Sequence, residues 1–269
     1  MFSQALLLTG MPRSGTSWLS QIFDSHPDVR FRLSPLFSYE FKNQLDENST
    51  KDAWEVVLRG AYESSNEFMD QTRRRTSGEY PVFAKKNAQP SRLVVKDTRF
   101  HNLTRLALNL LPNLFVVAII RHPCGAIHSW LTTQGEFPSQ ADPLLEWRSG
   151  SCRKSGYGEF WGFEDWKLVT AEHLALEEEF PGRVHIQRYE DLVSDPVPQV
   201  ERLFNFVGLK PEKQTFEFLA VSQSQHVATD YAVFKDPSVS HRWKAELQPA
   251  IRDQVQSELH GTKFERFLV

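Results

Sequence analysis

The first residues that could bind a ligand lie in a short loop near the start of the chain. The loop, residues 10–17, follows an apolar run and opens into a helical pattern. In a strand–loop–helix junction of this kind, successive backbone N–H groups and the positive end of the helix dipole converge on one point. The loop therefore predicts an anion-binding site. Its expected binding residues are Pro12, Arg13, Ser14, Gly15, Thr16 and Ser17.

The spacing of two glycines in this loop, Gly10 and Gly15, matches the triphosphate-binding motif G-x-x-x-x-G-K-[ST]. Thr16 stands where that motif requires lysine, and Arg13 supplies a cation inside the loop instead. ATPases and kinases use the lysine on the β- and γ-phosphates, so this loop favours a different anion. A P-loop nucleotide or small-molecule kinase stays open as an alternative, as does an ordinary junction with a solvated arginine.

A second candidate phosphate site follows the long apolar run at residues 114–120. Arg121 comes directly after that run, and Ser129 stands eight positions later. If Pro123 begins a helix, Ser129 faces back from its second turn while Arg121 lies at the tip of a strand. A guanidinium and a hydroxyl can then close on one phosphate, with the arginine supplying a bidentate contact. The alternative is a salt-bridged arginine and a serine on the helix surface.

Alternating strand and helix patterns must position these two sites. Apolar runs predict strands at residues 5–9, 92–96, 115–120 and 184–188, and the third is expected to be central. Helical patterns cover residues 16–23, 101–110, 125–131, 164–179, 198–207 and 249–259. This alternation predicts an α/β fold with a parallel sheet covered on both faces. Two irregular segments, residues 64–91 and 134–162, are expected over the carboxyl ends of the strands, where ligands bind.

Composition and charge narrow the class of protein. The chain has 269 residues and a net charge of −3, from 31 basic and 34 acidic side chains. This balance argues against a nucleic-acid or membrane partner, and the length suits a single domain over residues 1–269. Two cysteines, Cys124 and Cys152, fit a reducing compartment. The first residues lack the regions of a signal peptide and no run approaches the length of a membrane span, so we expect a cytoplasmic protein.

The two candidate sites resemble those of sulfotransferases. The segment Pro-Arg-Ser-Gly-Thr-Ser-Trp is similar to the loop that grips the 5′-phosphosulfate of 3′-phosphoadenosine 5′-phosphosulfate (PAPS) in this superfamily. Arg121 and Ser129 resemble its 3′-phosphate motif. The resemblance extends over nearly the whole chain and implies a three-layer sandwich around a parallel sheet, like that of the P-loop nucleotide hydrolases. It also implies PAPS as the sulfuryl donor, the desulfonated product PAP, and no metal.

Three further segments resemble the same superfamily in the expected order. Lys96 closes the second long strand and matches a lysine of tyrosylprotein and carbohydrate sulfotransferases, which would lie over the transferring sulfuryl group. Tyr189, in the segment Arg-Tyr-Glu-Asp-Leu, matches a tyrosine that lies near the adenine. Residues 234–244 resemble the loop that folds over the 3′-phosphate, and they carry Lys235 and Arg242.

The resemblance implies in-line transfer of a sulfuryl group from PAPS to an acceptor hydroxyl. Arg13 is expected near the bridging oxygen and Lys96 over the sulfuryl group, since positioned cations stabilise the charge that grows during transfer. Glu40 falls where heparan-type sulfotransferases place their base, and its two aromatic neighbours offer the desolvation that a base requires. A surface glutamate is the alternative reading of Glu40, and His101 is the reserve candidate for the base.

This sequence lacks residues that other sulfotransferases use with particular acceptors, and these differences exclude some classes of acceptor. Thr98 stands where the cytosolic enzymes of phenols and steroids carry a histidine, and residues 31–34 lack the glutamate of tyrosylprotein sulfotransferases. A carbohydrate or another alcohol-bearing metabolite remains the favoured acceptor. The basic run at residues 73–75 is expected to be solvated, or else to steer an anionic acceptor. A catalytically silent nucleotide-binding homologue stays open, and so does the oligomeric state.

Overall fold

The structure, a computed structural model, describes residues 2–269, so Met1, the first residue of the expected domain, lies outside the described residues. Five parallel strands form one sheet with the order β2-β3-β1-β4-β5. The strands are β1 (Gln4–Thr9), β2 (Val29–Leu33), β3 (Arg92–Lys96), β4 (Leu114–Ile120) and β5 (Val184–Arg188). The expected α/β class with a parallel sheet is confirmed, and β3 and β5 have the predicted bounds.

Helices occupy the connections between the strands. In chain order they are α1 (Thr16–Asp24), α2 (Lys51–Glu63), α3 (Glu67–Asp70), α4 (Thr72–Thr76), α5 (Thr104–Leu110), α6 (Pro123–Leu131), α7 (Pro143–Glu146), α8 (Gly162–Glu179), α9 (Tyr189–Ser194), α10 (Pro196–Phe206), α11 (Lys213–Ser224), α12 (Trp243–Glu246) and α13 (Pro249–Leu259). Every predicted helix is present, and α13 has the predicted bounds. The pattern at residues 101–110 divides into a 3-10 turn followed by α5.

Alternate residues of the strands face opposite layers of helices. On one face of the sheet, Leu8 of β1 packs with Leu19 of α1 and Phe204 of α10. On the other face, Val116 of β4 packs with Leu176 of α8. Because side chains alternate along a strand, burial on both faces requires an almost continuously apolar strand. The apolar runs therefore indicate a three-layer arrangement, with helices above and below the sheet.

The middle of the sheet is β1, which pairs with β3 on one side and with β4 on the other. The sequence placed the run at residues 115–120 in the centre, and this is corrected: β4 is an interior strand between β1 and β5. Every interior strand is buried on both faces, so apolar composition cannot tell which of them is in the middle. The central position of β1 gives the loop that follows it a neighbouring strand end on each side.

The edge strand β2 was not predicted, because two arginines interrupt its apolar pattern. Arg32 is only 4% exposed, and its Nε donates to the backbone oxygen of Ala61 at 2.6 Å. Its guanidinium also pairs with Asp70 in the segment that follows α2. Buried charge is tolerated only with such partners, and these lie far along the chain. The helices α2 and α11 were also not predicted.

The two irregular segments contain more structure than the sequence indicated. Residues 64–91 include α3 and α4, and Arg75 and Lys86 join this segment to the Asp24 carboxylate at 2.7 and 2.8 Å. Residues 134–162 include α7. As expected, both segments reach the carboxyl ends of the strands, where Arg74 and Glu136 line a cavity. Within residues 2–269, no helix has the length and hydropathy that crossing a membrane requires.

Candidate active site

A cavity of about 650 Å³ opens at the carboxyl ends of the strands. The predicted site residues among its lining are Pro12, Arg13, Gly15, Thr16, Ser17, Lys96, Arg121, Ser129, Tyr189, Lys235 and Arg242. Eight Lys and Arg side chains line the cavity together with three acidic ones, although the whole chain has a net charge of −3. A concave surface with this excess of positive charge attracts anions. The fold therefore concentrates in one place a charge that the composition conceals.

The loop after β1 presents the start of α1 to this cavity. Gly15 precedes the helix in the left-handed conformation, with φ 89°, and a Cβ at that position would lie 2.5 Å from the ring of Tyr189. Only glycine meets both conditions without strain. The prediction is corrected at Ser14, whose side chain is buried and does not line the cavity, and whose N–H donates to the Met11 oxygen at 3.2 Å. Donors for an anion remain at the start of α1, where Thr16 lines the cavity.

Arg121, directly after β4, is a buried cation at the wall of the cavity. It is 7% exposed, and its Nη1 donates to the backbone oxygen of Arg13 at 3.0 Å. Its Nε is buried without a hydrogen-bond partner, and no carboxylate in the described chain forms an ion pair with it within 4.0 Å. Gly125 leaves room for it, because a Cβ there would lie 2.9 Å from that Nε. A buried guanidinium in this state is prepared for an anionic ligand.

Lys96, the last residue of β3, is the cation beside the loop. Its Nζ lies 3.4 Å from the Ser17 hydroxyl at the start of α1. Burial, followed by the positive charge of Arg74, lowers the pKa of Lys96 to about 8, while the nearby carboxylates of Asp97 and Glu136 act in the opposite direction. An anion bound in the loop would stabilise the charged form of this lysine.

The Arg13 guanidinium contacts the second phosphate motif, whereas the sequence placed it near the bridging oxygen of PAPS. Its Nε donates to the Ser129 hydroxyl at 3.2 Å, and its Nη2 donates to the backbone oxygen of Asp230 at 3.1 Å. Its Nη1 is 3.9 Å from Glu136 Oε1. These three oxygens hold the guanidinium at the second phosphate motif, and the Lys96 ammonium contacts the Ser17 hydroxyl at the start of α1.

Tyr189 and the segment 226–246 close the cavity. The ring of Tyr189 lies between Gly15 and the Arg121 guanidinium, 4.7 Å from the latter, and burial raises the pKa of this tyrosine. Lys235 donates to backbone oxygens of its own segment, at Val227 and Thr229. Arg242 forms an ion pair with Glu246 at 2.8 Å. Stacking of Trp243 on His122, with centroids 4.1 Å apart, holds the segment against α6.

The structure does not bring the two candidate bases to the cavity. Glu40 is exposed, accepts a hydrogen bond from the Ser64 hydroxyl at 2.7 Å, and is absent from the cavity wall. His101 is buried, with its Nδ1 3.1 Å from the Thr9 hydroxyl. Burial, followed by the nearby His173, holds the pKa of His101 well below its usual value. A 3-10 turn at Pro35–Phe37 directs Phe37 to the cavity in place of Glu40. The structure therefore supports neither Glu40 nor His101 as the general base.

Several cavity residues were not predicted as site residues. The three arginines of the basic run have different environments. Arg73 is exposed, and Arg75 pairs with Asp24. Arg74 lines the cavity, with its guanidinium 4.2 Å from the ring of Tyr231. The other unpredicted lining residues include Phe37, Phe68, Arg99, Glu136, Arg153 and Trp161. For Phe68, Glu136, Arg153 and Trp161 the signal was that both irregular segments were expected over the strand ends; Phe37 and Arg99 lie outside those segments. Among residues 2–269, no group of three or more His, Cys, Asp or Glu side chains is arranged to hold a metal.

Comparison with known sequences identifies relatives for most of the chain. A family model described as "Sulfotransferase family" matches residues 5–213. A curated protein of Caenorhabditis briggsae, "Putative protein-tyrosine sulfotransferase", is 22% identical over 215 residues, which is 79% of this chain and 68% of that protein. The family match includes Lys96, Arg121, Ser129 and Tyr189, and it ends before Lys235.

Solved structures share the fold at low sequence identity. The mouse sulfotransferase SULT7A1 complexed with PAP aligns with a TM-score of 0.55 and 17% identity, covering 98% of this chain and 88% of that one. A sulfotransferase from Alicyclobacillus acidocaldarius aligns with a TM-score of 0.58 and 14% identity, covering 96% and 92%. Similarity at this level concerns the fold, and it confirms the expected three-layer architecture.

Proposed function

Because the chain belongs to the sulfotransferase family, we propose that it transfers the sulfuryl group of PAPS to a hydroxyl of an acceptor, a carbohydrate or another alcohol-bearing metabolite. One observation carries the proposal. Arg121 is buried without a carboxylate partner in the described chain, and it lines the same cavity as the loop after β1 and Lys96. Two anion sites that share one cavity suit a nucleotide with negative charge at both ends.

The residues present fit PAPS on two counts. The buried Nε of Arg121 lacks a partner that a 3′-phosphate would supply, with Ser129 as the second donor. The start of α1 offers unpaired N–H groups at Thr16 and Ser17 for the 5′-phosphosulfate, and any Cβ at Gly15 would crowd Tyr189. Tyr189 would lie near the adenine. Lys235 and Arg242 would approach the 3′-phosphate from the covering segment.

The chain's own contribution to transfer is charge stabilisation and positioning. PAPS supplies an activated sulfuryl group and a phosphate that departs with the electron pair of the broken bond. Lys96 beside Ser17 would neutralise charge that develops on the sulfuryl and bridging oxygens, because a desolvated ammonium acts strongly in a low-dielectric site. Arg13, held by Ser129, would join the two phosphate subsites and fix their separation.

The acceptor would enter between the ends of β2 and β3 and the irregular segments. Phe37 and Phe68 face each other there, with ring centroids 6.0 Å apart. The Arg99 guanidinium lies 3.9 Å over the Phe37 ring, and Arg153 lies 5.4 Å over the Trp161 ring. Aromatic faces and planar guanidinium groups together suit a ring-bearing acceptor with polar substituents.

Calorimetry and a transfer assay test the proposal. We expect PAP to bind with an affinity well above that of ATP with Mg²⁺, and radioactive sulfate from labelled PAPS to appear on at least one hydroxyl compound from a panel of sugars and alcohols. Tighter binding of ATP–Mg²⁺ would favour a kinase. Binding of PAP without any turnover of PAPS would favour a silent homologue.

A further inference from the structure

One cation of the cavity wall has no partner for its charge. Eight Lys and Arg side chains line the cavity, and seven of them donate a hydrogen bond to an oxygen of the folded chain or pair with a carboxylate. The exception among the described residues is Arg153, whose guanidinium has neither contact. Its Nε is buried, whereas its two terminal nitrogens keep accessible surface on the cavity wall. An unpaired guanidinium with exposed donors offers a binding site for an anion.

A tight turn in the irregular segment 134–162 presents Arg153 to the cavity. Gly150 has φ 62° and donates its N–H to the Glu146 oxygen at 2.8 Å, and a Cβ there would lie 2.6 Å from the backbone of Trp161. The Arg153 N–H in turn donates to the Gly150 oxygen at 3.1 Å. The guanidinium carbon lies 5.4 Å from the centre of the Trp161 ring. Contact with an aromatic ring restricts a guanidinium and leaves its donor edge free for a planar anion.

The neighbours of this turn lie on the side of the cavity where the acceptor is proposed to enter. Glu159 of the same segment pairs with Arg99, just beyond β3. Trp161, the ring beside Arg153, also lines the cavity, and its ring centroid lies 5.6 Å from that of Trp130 on α6. The segment therefore extends from the residues after β3 to α6. Arg153 belongs to this wall and not to the loop, the strand ends or the covering segment, which carry the residues assigned to the nucleotide.

The carboxylate of the same segment, Glu159, is already committed to other donors. Its Oε1 accepts from the Arg99 guanidinium, and its Oε2 accepts from the N–H and the hydroxyl of Ser155. No carboxylate oxygen of residues 2–269 lies within 4.0 Å of a nitrogen of the Arg153 guanidinium. The fold therefore provides Arg153 with no counter-ion, and partial burial of such a charge is costly until an anion is bound.

We propose that Arg153 binds a carboxylate of the acceptor, an inference that rests on the proposed sulfuryl transfer. The acceptor is then a hydroxy acid, an alcohol or sugar that bears a carboxylate apart from the hydroxyl that receives the sulfuryl group. The two terminal nitrogens of a guanidinium match the two oxygens of a carboxylate, and one positive charge matches one negative charge. The facing rings of Phe37 and Phe68 would contact the carbon skeleton between the two groups.

The sequence left open that the basic run at residues 73–75 steers an anionic acceptor. Arg74 is the member of that run on the cavity wall, but its Nε lies 4.0 Å from the Glu79 carboxylate. Arg153 has no such neighbour. The contact to the acceptor carboxylate therefore belongs to Arg153, in the other irregular segment.

The test uses two pairs of acceptors that differ in the charge of one group: p-hydroxymethylbenzoate and its amide, and methyl β-glucuronide and its amide. Each is titrated by calorimetry into the protein loaded with PAP and assayed with labelled PAPS. We expect each acid to bind about 10- to 100-fold more tightly than its amide, the range of a charge-assisted hydrogen bond. Arg153→Gln should remove this preference, with little change in the affinity for the amides and for PAP. Arg153→Lys should restore part of it, because lysine keeps the charge but lacks the paired donors.

Arg59→Gln, a matched change on the exposed side of α2, should keep the wild-type preference. Acids that bind no better than their amides, or an Arg153→Gln variant that keeps the preference, overturn the inference. So does a large loss of PAP affinity in Arg153→Gln, since Arg153 would then belong to the nucleotide site. Wild-type protein that fails to bind PAP overturns the proposed function itself, and titration of the acids and amides into the free protein then still tests Arg153. Thermal unfolding of the variants separates lost binding from lost folding.

Discussion

The two ends of the cavity are built differently. The end assigned to PAPS is centred on residues at the strand ends, with Arg121 after β4 and Lys96 at the end of β3, and Lys235 and Arg242 of the covering segment also line it. The end assigned to the acceptor takes its side chains mainly from residues 64–91 and 134–162. The cofactor end therefore has the rigidity of the sheet, while the acceptor end depends on contacts between segments that are distant in sequence.

The charges at the two ends also differ. Arg121 has no carboxylate partner within the described residues, and the ammonium of Lys96 faces a hydroxyl. At the acceptor end, Arg99 pairs with Glu159 at 2.5 Å and Arg74 lies 4.0 Å from Glu79. A neutralised guanidinium contributes shape and stacking more than net charge. Arg121 therefore offers an unpaired charge to the nucleotide, while the guanidinium groups of Arg99 and Arg74 at the acceptor end already have carboxylate neighbours.

The largest expected effect is at Lys96, on the boundary between the two ends. Lys96→Met keeps the length of the side chain and removes its charge. We expect kcat to fall by about two to three orders of magnitude, because this contact strengthens as charge develops during transfer. The affinity for PAP, measured by calorimetry, should change by much less. Equal losses in PAP affinity and kcat would show that Lys96 serves binding alone.

Arg121 at the cofactor end and Arg99 at the acceptor end allow the same substitution to be compared at both ends of the cavity. Arg121→Ala should weaken PAP binding by about 10- to 150-fold, corresponding to about 1.5–3 kcal/mol, since it removes a charge-assisted contact to phosphate. Arg99→Ala should leave PAP affinity unchanged, because Glu159 already neutralises that guanidinium. Calorimetric titration of both variants with PAP measures the two affinities. Similar losses in the two variants would remove the distinction between the ends of the cavity.

The ionisation of Lys96 is expected to change the rate of transfer with pH, by less than the substitutions at Lys96 and Arg121 do. Burial lowers the pKa of Lys96 to about 8, so its ammonium is charged below that pH and neutral above it. Only the charged form stabilises the transferring group, and kcat/KM for PAPS should therefore fall as pH rises through the pKa, by about tenfold per pH unit. Lys96→Arg, which stays charged, should move the fall to higher pH. An alkaline limb that does not move would belong to another group.

The smallest expected effect is at Glu40. The carboxylate is exposed and bonded to Ser64 outside the cavity, so Glu40→Gln should leave kcat and PAP affinity near their wild-type values. A fall in kcat of about two orders of magnitude or more would return Glu40 to the role of base. It would also show that the segment after β2 moves into the cavity when ligands bind.

Many of the residues that line the cavity could be predicted because their signals are local in sequence. The loop after β1 combines glycines, a proline and a following helix within a few positions, and Arg121 and Ser129 are separated by less than three helical turns. The strands β3 and β5 were predicted with their bounds, since apolar runs between turn residues are short-range features. The edge strand β2 was missed, because its arginines find partners only in the folded chain.

The amino-acid sequence by itself determined the parallel α/β sheet, the strand–loop–helix junction after β1, and the places of Arg121 after β4 and Ser129 on α6, because each depends on periodicity or on spacing within one strand–helix unit. Only the tertiary structure decided which side chains surround the acceptor and where Arg13 points. The hydrogen bond from Arg13 to Ser129 spans 116 positions. The position of the Glu136 carboxylate depends on Arg13 of the loop and Tyr231 of the covering segment, which meet only in the fold. Such contacts join segments whose separation in sequence carries no periodic signal, so no local pattern records them.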